Sequence, residues 1–282
     1  MLSQIHIEDI VKAALKEDLG HGFDITSQST IPSNVTATAT IRARQEGVLS
    51  GLMLGLSAFS LLDSGFDMEV YAYDGEVIEA GQDIAKITGP AAALMTGERT
   101  ALNFMTHMSG IATQTAYFVQ AVDGTNAKIC DTRKTLPGLR LIQKYAVKCG
   151  GGHNHRMGLD DAILIKDNHI AIAGGIDAAL NAAQINASHT TSIEIEVDTL
   201  DQLDDVLAHG GADIVMLDNF VNSDLIEAIK RTNGALKTEA SGGVNLLTVA
   251  DIAATGVDYI SVGALTHSAP ALDLGLDIDL NN

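Results

Sequence analysis

Residues 131–170, DTRKTLPGLRLIQKYAVKCGGGHNHRMGLDDAILIKDNHI, decide how the chain is read. The whole chain carries 17 Lys and Arg against 36 Asp and Glu, a formal net charge of −19. Yet residues 128–166 hold eight of those bases against only three acids, Asp131, Asp160 and Asp161. Arg140, Lys144 and Lys148 recur every fourth residue and read as a solvated helix face. The others do not fit that pattern. Arg133 and Lys134 follow an apolar segment that ends in Asp131, Arg156 closes a His-Asn-His-Arg turn after three glycines, and Lys166 ends the apolar run 162–165. Positive groups at the ends of separate strands predict a negatively charged ligand.

Outward from this stretch the sequence is periodic. Apolar strands are expected at 128–131, 162–165, 193–196, 213–217, 236–240 and 258–262, with amphipathic segments such as 199–209 and 245–255 between them. A strand–helix–strand repeat of roughly 22 residues predicts right-handed βα units around a parallel sheet, and six in series favour a barrel over an open sheet. Asp131, Thr132, Arg133, Lys134, Lys166, Glu196, Asp218, Asn219, Ser241, Gly242, Gly243 and Gly263 then share the C-terminal rim, where barrels place their active sites. Six strands predict an incomplete barrel.

Upstream, residues 1 to about 90 read as a small α+β domain. Ile7, Ile10, Val11, Ala14 and Leu15 form a helix stripe that stops at Gly20. Val35, Ala37, Ala39, Ile41 and Ala43 alternate with polar residues as in a half-buried strand. A helix over 52–62 and strands over 68–73 and 84–87 follow, with a structural turn at 74–81. Residues 91–122 read as a mainly helical connection broken at Ser109-Gly110, carrying Glu98, Arg99 and His107.

Composition narrows the class. The acidic balance argues against nucleic acid or an anionic membrane as partner. No leader pattern and no apolar run near 18 residues is present. Cys130 and Cys149, outside any CxxC, suit buried free thiols in a reducing compartment, so a cytosolic (cytoplasmic) protein is expected.

The rim residues carry the chemistry. Ser241-Gly242-Gly243-Val244 and Gly263-Ala264 follow the last two strands, where small residues let backbone N–H groups approach a phosphate at a helix start. Glu196 and Asp218 can hold Mg²⁺ or a ribose diol, or simply pair with Lys166 or Arg156. His153 and His155 form an H-x-H pair, but with no third ligand evident and Arg156 adjacent, metal ligation by histidine is not expected. Lys166 could alternatively be a Schiff-base lysine.

At this point the residues resemble a known family. Asp131-Thr-Arg-Lys-Thr, Gly150-Gly-Gly-His-Asn-His-Arg-Met-Gly-Leu159, Ile165-Lys-Asp-Asn-His169, Glu194-Ile-Glu-Val, Leu217-Asp-Asn-Phe220, Glu239-Ala-Ser-Gly-Gly243 and Val262-Gly-Ala-Leu-Thr-His267 look like the quinolinate phosphoribosyltransferases. Upstream, Gly97-Glu-Arg-Thr-Ala-Leu-Asn103 and Ser109-Gly-Ile-Ala-Thr113 continue the likeness over nearly the whole chain. The resemblance implies an N-terminal α+β sandwich domain over 1–110 and an open, incomplete TIM-like α/β barrel of about seven strands over 111–282. It also implies a cytoplasmic homodimer whose active sites are completed by the neighbouring subunit. The implied reaction joins quinolinate to phosphoribosyl pyrophosphate with Mg²⁺, giving nicotinate mononucleotide, pyrophosphate and CO₂ in NAD synthesis. By motif position Arg99 reaches quinolinate across the dimer. Arg133, His155, Arg156 and Lys166 hold the dicarboxylate, Lys134 serves the pyrophosphate side, and Thr132 is a further substrate-binding residue. Glu196 and Asp218 take the ribose hydroxyls or the metal together with substrate phosphates, and Ser241, Gly242, Gly243 and Gly263 take the 5′-phosphate. Lys134, Lys166, Glu196 and Asp218 are the implied catalytic set. His107 departs from the arginine of many members.

Three alternatives stay open on sequence: an aldolase or lyase using Lys166, a relative of the molybdenum-transport-associated proteins that share Thr-Arg-Lys, and a non-catalytic paralogue of the same fold.

Overall fold

A computed structural model describes residues 2–279. The chain divides into two compact units, one built from the residues up to Ala116, Leu141–Gly151 and the segment from Ser268, the other from Tyr117–Arg140 and Gly152–His267.

In the first unit a helix over Gln4–Leu19 begins where the Ser3 hydroxyl accepts the His6 N–H and ends at Gly20, whose φ of 61° suits a residue without Cβ. It buries Ile7, Val11 and Leu15 on one stripe. Strands β1 (Thr36–Ala43), β2 (Gly47–Val48), β3 (Asp67–Val70), β4 (Val77–Ile78) and β5 (Asp83–Pro90) follow, with a helix over Leu52–Ser60 between β2 and β3. The expected half-buried β1 is covered on both faces. Thr38 and Thr40 are buried like Ala39 and Ile41, and the Thr38 hydroxyl meets that of Thr88 at 3.0 Å across the β1–β5 pair.

The helix over Ala91–Ala121 is continuous, not broken at Ser109-Gly110. Both residues serve packing. The Ser109 hydroxyl accepts the Ser50 N–H and donates to the Ser50 carbonyl, while Gly110 lets the Pro270 backbone carbonyl lie against the helix. The helix over Arg140–Cys149 also departs from expectation. Lys144 is fully buried with Ile142, Gln143, Ala146 and Val147, because the buried face is wider than the period-four row of cations suggests; only Lys148 of that row is exposed.

The second unit holds β6 (Lys128–Cys130), β7 (Ile163–Ile165), β8 (Ile193–Val197), β9 (Ile214–Asp218), β10 (Lys237–Ser241) and β11 (Tyr259–Ser261). These lie at the six expected positions. They form one all-parallel sheet in the order β6-β11-β10-β9-β8-β7, with helices between consecutive strands from β7 onward. The first strand pairs with the last, as in a barrel, but β6 and β7 do not pair, so the barrel is open there. Six strands form the sheet, against about seven implied by the family; an isolated parallel bridge, Cys130 to His153, occupies the open side of β6.

A twelfth strand, β12 (Leu274–Asp279), returns to the first unit and pairs antiparallel with β1, giving the order β12-β1-β5-β3. Asp277 accepts hydrogen bonds from Arg42 and Arg44 across that pair. No helix among the described residues is long and apolar enough to cross a membrane.

A Cβ added at Gly110 would overlap the Pro270 carbonyl, a backbone atom that cannot rotate away. Gly110→Ala is therefore expected to destabilise the chain by about 1–3 kcal/mol, read as a lower denaturation midpoint with unchanged slope.

Candidate functional site

The parallel strands alternate sides, so residues two apart share the inner face. That face carries Leu164 and Lys166 from the end of β7, Glu194 and Glu196 on β8, Met216 and Asp218 on β9, and Glu239 and Ser241 on β10. Lys166, Glu196, Asp218 and Ser241 stand at the C-terminal rim, where with Thr132, Arg133, Lys134, His155 and Arg156 they enclose a cavity of about 380 Å³. A neighbouring cavity of about 160 Å³ is lined by Thr132, Lys134, Ser241, Gly242, Gly243, Gly263 and His267. Every sequence-identified site residue other than Arg99 lines one or both of these cavities. Arg99 is exposed on the Ala91–Ala121 helix and belongs to the first unit. His107 also lies in the first unit, bonded to Gln143 at 3.0 Å, and burial pushes its pKa down, so it adds no charge at neutral pH.

Local bonds fix each part of the rim. Asp131, fully buried at the end of β6, accepts the Asn154 amide at 2.6 Å and the His155 N–H at 2.9 Å, which ties the glycine-rich turn to the sheet. Arg156 donates through Nη1 to the Ala162 carbonyl at 2.9 Å. Burial, together with the charge of Arg133 beside it, draws the Arg156 pKa below its usual value, against the opposing charges of Asp161 and Glu194. The Nε–H groups of both Arg133 and Arg156 are buried without a hydrogen-bond partner. His169 takes the Lys166 N–H on its Nδ1 at 2.9 Å, so the histidine of the Lys-Asp-Asn-His run sets where β7 stops. Lys166 in turn pairs with Glu196, whose carboxylate is almost wholly buried.

At the smaller cavity, Asn219 (φ 57°) donates its backbone N–H to the Ser241 carbonyl at 2.9 Å and its amide to Asp218 at 2.6 Å. Gly242 (φ 100°) packs so closely on the Asn219 amide that any Cβ would overlap it. The next helix begins only at Val249, so the expected helix start directly behind Gly242-Gly243 is absent; the two glycines form a free-standing loop. Lys134 borders both cavities and is held through its backbone, accepting from the Thr266 hydroxyl at 2.8 Å.

Beneath the rim lies a polar layer not anticipated as part of the site. His155 Nε2 is 3.0 Å from a Glu194 oxygen and 3.7 Å from Glu239 Oε1. Burial first, then the charge of Glu194, raises the Glu239 pKa to about 7, while His155 and the Ser261 hydroxyl oppose the rise. Glutamates at alternate positions of an apolar strand, as in Ile193-Glu-Ile-Glu-Val, were the available signal for an inward-facing acid.

The site is thus a cationic cavity beside a glycine-lined one at the rim of a half-open parallel α/β barrel. Models of the quinolinate phosphoribosyl transferase N-terminal and C-terminal domains match residues 24–109 and 111–277. The chain is 44% identical over 281 residues to a probable nicotinate-nucleotide pyrophosphorylase (carboxylating) of Bacillus subtilis, covering 100% of this chain and 96% of that protein. It is 46% identical over 278 residues to the nicotinate-nucleotide pyrophosphorylase (carboxylating) of Mycobacterium leprae, covering 96% of each. The solved structure of the nicotinate-nucleotide pyrophosphorylase from Francisella tularensis superposes with a TM-score of 0.94 at 40% identity, over 99% of this chain and 98% of that one. The chain belongs to the quinolinate phosphoribosyltransferase family.

Gly242→Ala is expected to strain a left-handed position and push the Asn219 amide out of place. Calorimetry with ribose 5-phosphate should register a loss of about tenfold in affinity, equivalent to about 1.4 kcal/mol, with the circular dichroism spectrum unchanged.

Proposed function

We propose that this chain transfers the phosphoribosyl group of phosphoribosyl pyrophosphate to the ring nitrogen of quinolinate and decarboxylates the product. The outputs are nicotinate mononucleotide, pyrophosphate and CO₂, the decarboxylating entry into NAD synthesis, carried out in the cytosol. The observation that carries the reading is the pair of buried Arg133 and Arg156 Nε–H donors, unpartnered beside Lys166 in one cavity. Two guanidinium forks and an ammonium match a dicarboxylate far better than a single carboxylate or a carbonyl. The Schiff-base reading is weaker, because Lys166 pairs with Glu196 and is not the desolvated free amine that imine formation requires.

The chemistry asks for little proton transfer. A pyridine nitrogen already presents its lone pair, so attack on the anomeric carbon needs alignment and no base. Arg133, Arg156 and Lys166 hold the ring by its carboxylates, Ser241, Gly242, Gly243 and Gly263 take the 5′-phosphate, and Thr132 and Lys134 lie toward the pyrophosphate. Glu196 and Asp218 face the ribose, where their negative charge stabilises the cation-like sugar as the pyrophosphate leaves. These two carboxylates are also hard oxygen donors at adjacent strand ends, a set that with substrate phosphates fits Mg²⁺. Bound there, the ion would neutralise the departing pyrophosphate. The C2–carboxylate bond then breaks, CO₂ leaves, and the electron pair stays on C2 beside the quaternised ring nitrogen, whose positive charge stabilises it until C2 takes a proton from solvent, while the cations hold the other carboxylate.

The test is product formation. Protein, Mg²⁺, quinolinate and phosphoribosyl pyrophosphate should give nicotinate mononucleotide and CO₂, whereas nicotinate, lacking the C2 carboxylate, should be turned over at least about a hundredfold less efficiently, the scale of one lost pair of charged hydrogen bonds. Comparable turnover of nicotinate would contradict the assignment of the basic cavity.

The active unit is proposed to be a homodimer in which Arg99 of one subunit serves the site of the other. The support is family membership, together with an exposed arginine fork whose neighbour Glu98 forms no ion pair with it among the described residues. Arg99→Ala and Lys166→Ala homodimers should each be nearly inactive, and subunit exchange between them should restore activity, since one site of each heterodimer keeps both residues. Verified exchange without recovery would show that Arg99 does not act in trans.

A further inference from the structure

The rim explains what binds, but not why two acids lie sealed directly beneath it. Glu194 and Glu239 are 5% and 4% exposed, their ligand oxygens and His155 Nε2 lie within 4.8 Å of one another, and Oε1 of each has no hydrogen-bond partner. Two ionised carboxylates at that range inside a barrel would repel strongly. His155 does not cancel both. Its Nδ1 accepts the Arg156 N–H at 2.7 Å and its Nε2 faces Glu194, so one imidazole ring, carrying at most a single positive charge, stands against two carboxyl groups. The trio is balanced most simply by one extra proton on Glu239, the carboxyl farther from Nε2. A divalent cation could use the same atoms, but Arg156 borders this layer and its charge already acts on Glu194, so a proton is the smaller demand.

We propose that Glu239 is a positioning residue for the dicarboxylate cavity: in its neutral form it supports the Glu194–His155 contact that sets Arg156, and on ionisation it weakens binding of the dianionic substrate. This rests on the reading of the basic cavity as the quinolinate site. The chain of contacts is short. Glu194 and Glu239 approach Nε2 of His155 from within the barrel, Nδ1 of the same ring receives the Arg156 N–H, and Arg156 then lines the cavity. Both ring nitrogens of His155 are therefore engaged by the protein, and the ring acts on substrate through Arg156.

The groups around Glu239 are Glu194 from β8, His155 and Arg156 from the turn after Gly152, Asp131 at the end of β6, and the Ser261 hydroxyl and Tyr259 from β11; Met216 of β9 is apolar. Glu194 and Asp131 favour the protonated carboxyl, His155 and Ser261 the ionised one. The sign follows. The folded-state pKa is raised, so the carboxyl is neutral below that value and gains a negative charge above it. Whichever member of the trio holds the remaining protons, its net charge falls by one as pH rises, and a quinolinate dianion is held less well.

The experiment is calorimetric titration of the full-length protein with quinolinate from about pH 6 to about pH 9, where both substrate carboxylates stay ionised. The wild-type Kd should rise above the Glu239 transition by up to about tenfold per pH unit, the limit for one linked proton. Glu239→Gln, which keeps shape and neutrality, should flatten that rise. Glu239→Ala should bind at least about tenfold more weakly at the acid end, and the Gln variant should recover most of that loss. A Gln variant as pH-dependent as wild type, or a folded Ala variant of unchanged affinity, overturns the proposal. If the Ala variant does not fold, the Gln profile alone decides. Lys166→Ala separates the two readings: its binding quinolinate like wild type would refute the basic cavity as the site. A lost Lys166→Ala affinity with an unaltered Glu239→Gln profile refutes only the role of Glu239.

Discussion

The site depends on the carboxylate of Asp131. It ends β6 in a fully buried position, and its hydrogen bonds to the Asn154 amide and the His155 N–H hold the 152–156 turn against the open edge of the sheet. That edge is where a closed barrel would have another strand. With β6 and β7 unpaired, the turn and its single bridge at His153 stand in place of ladder hydrogen bonds, and the side chains they carry inward are His155 and Arg156. Removing a buried, charge-assisted acceptor leaves its donors unsatisfied, at a cost of roughly 1–3 kcal/mol for each. The opening in the barrel and the placement of its cations are thus one constraint.

Charge is layered along the barrel axis. The rim presents Arg133, Lys134, Arg156 and Lys166, while Glu194, Glu196 and Glu239 are buried on the inner face of the strands. Such an arrangement stabilises concentrated positive charge without a bound ligand, yet leaves the outward-facing donors free. The buried guanidinium Nε–H groups mark where that compensation stops short, and it is there that a dicarboxylate is proposed to complete it. Beside it, Gly242 lies against the Asn219 side chain and Gly263 against that of Lys134, and both glycines line the smaller cavity. Thr132, Lys134 and Ser241 line both cavities, so the two adjoin through shared side chains.

Much of this was legible in the sequence, because the signals were local. Each barrel strand is an apolar run ending in a polar or glycine residue, and the parallel topology turns those ends into one rim. What escaped was non-local. The run Leu274-Gly-Leu-Asp-Ile-Asp alternates as a strand should, but nothing in it says that it pairs with β1, more than 230 residues earlier. Lys144 looked solvated because its spacing matched Arg140 and Lys148, while its burial depends on what packs over that helix. The break expected at Ser109-Gly110 failed for a related reason. A small pair inside a helix can mean close packing as readily as a bend, and here it admits the Pro270 carbonyl. The grouping of Glu194, Glu239 and His155 needed three separate segments in register.

One site is proposed to couple glycosyl transfer to decarboxylation of the same pyridine, and the stoichiometry of release reads that coupling. With quinolinate labelled in its C2 carboxylate, labelled CO₂ and pyrophosphate should appear in equal amounts, and neither should form when phosphoribosyl pyrophosphate is withheld. Release of CO₂ without the phosphoribosyl donor, or of pyrophosphate without CO₂, would contradict the account.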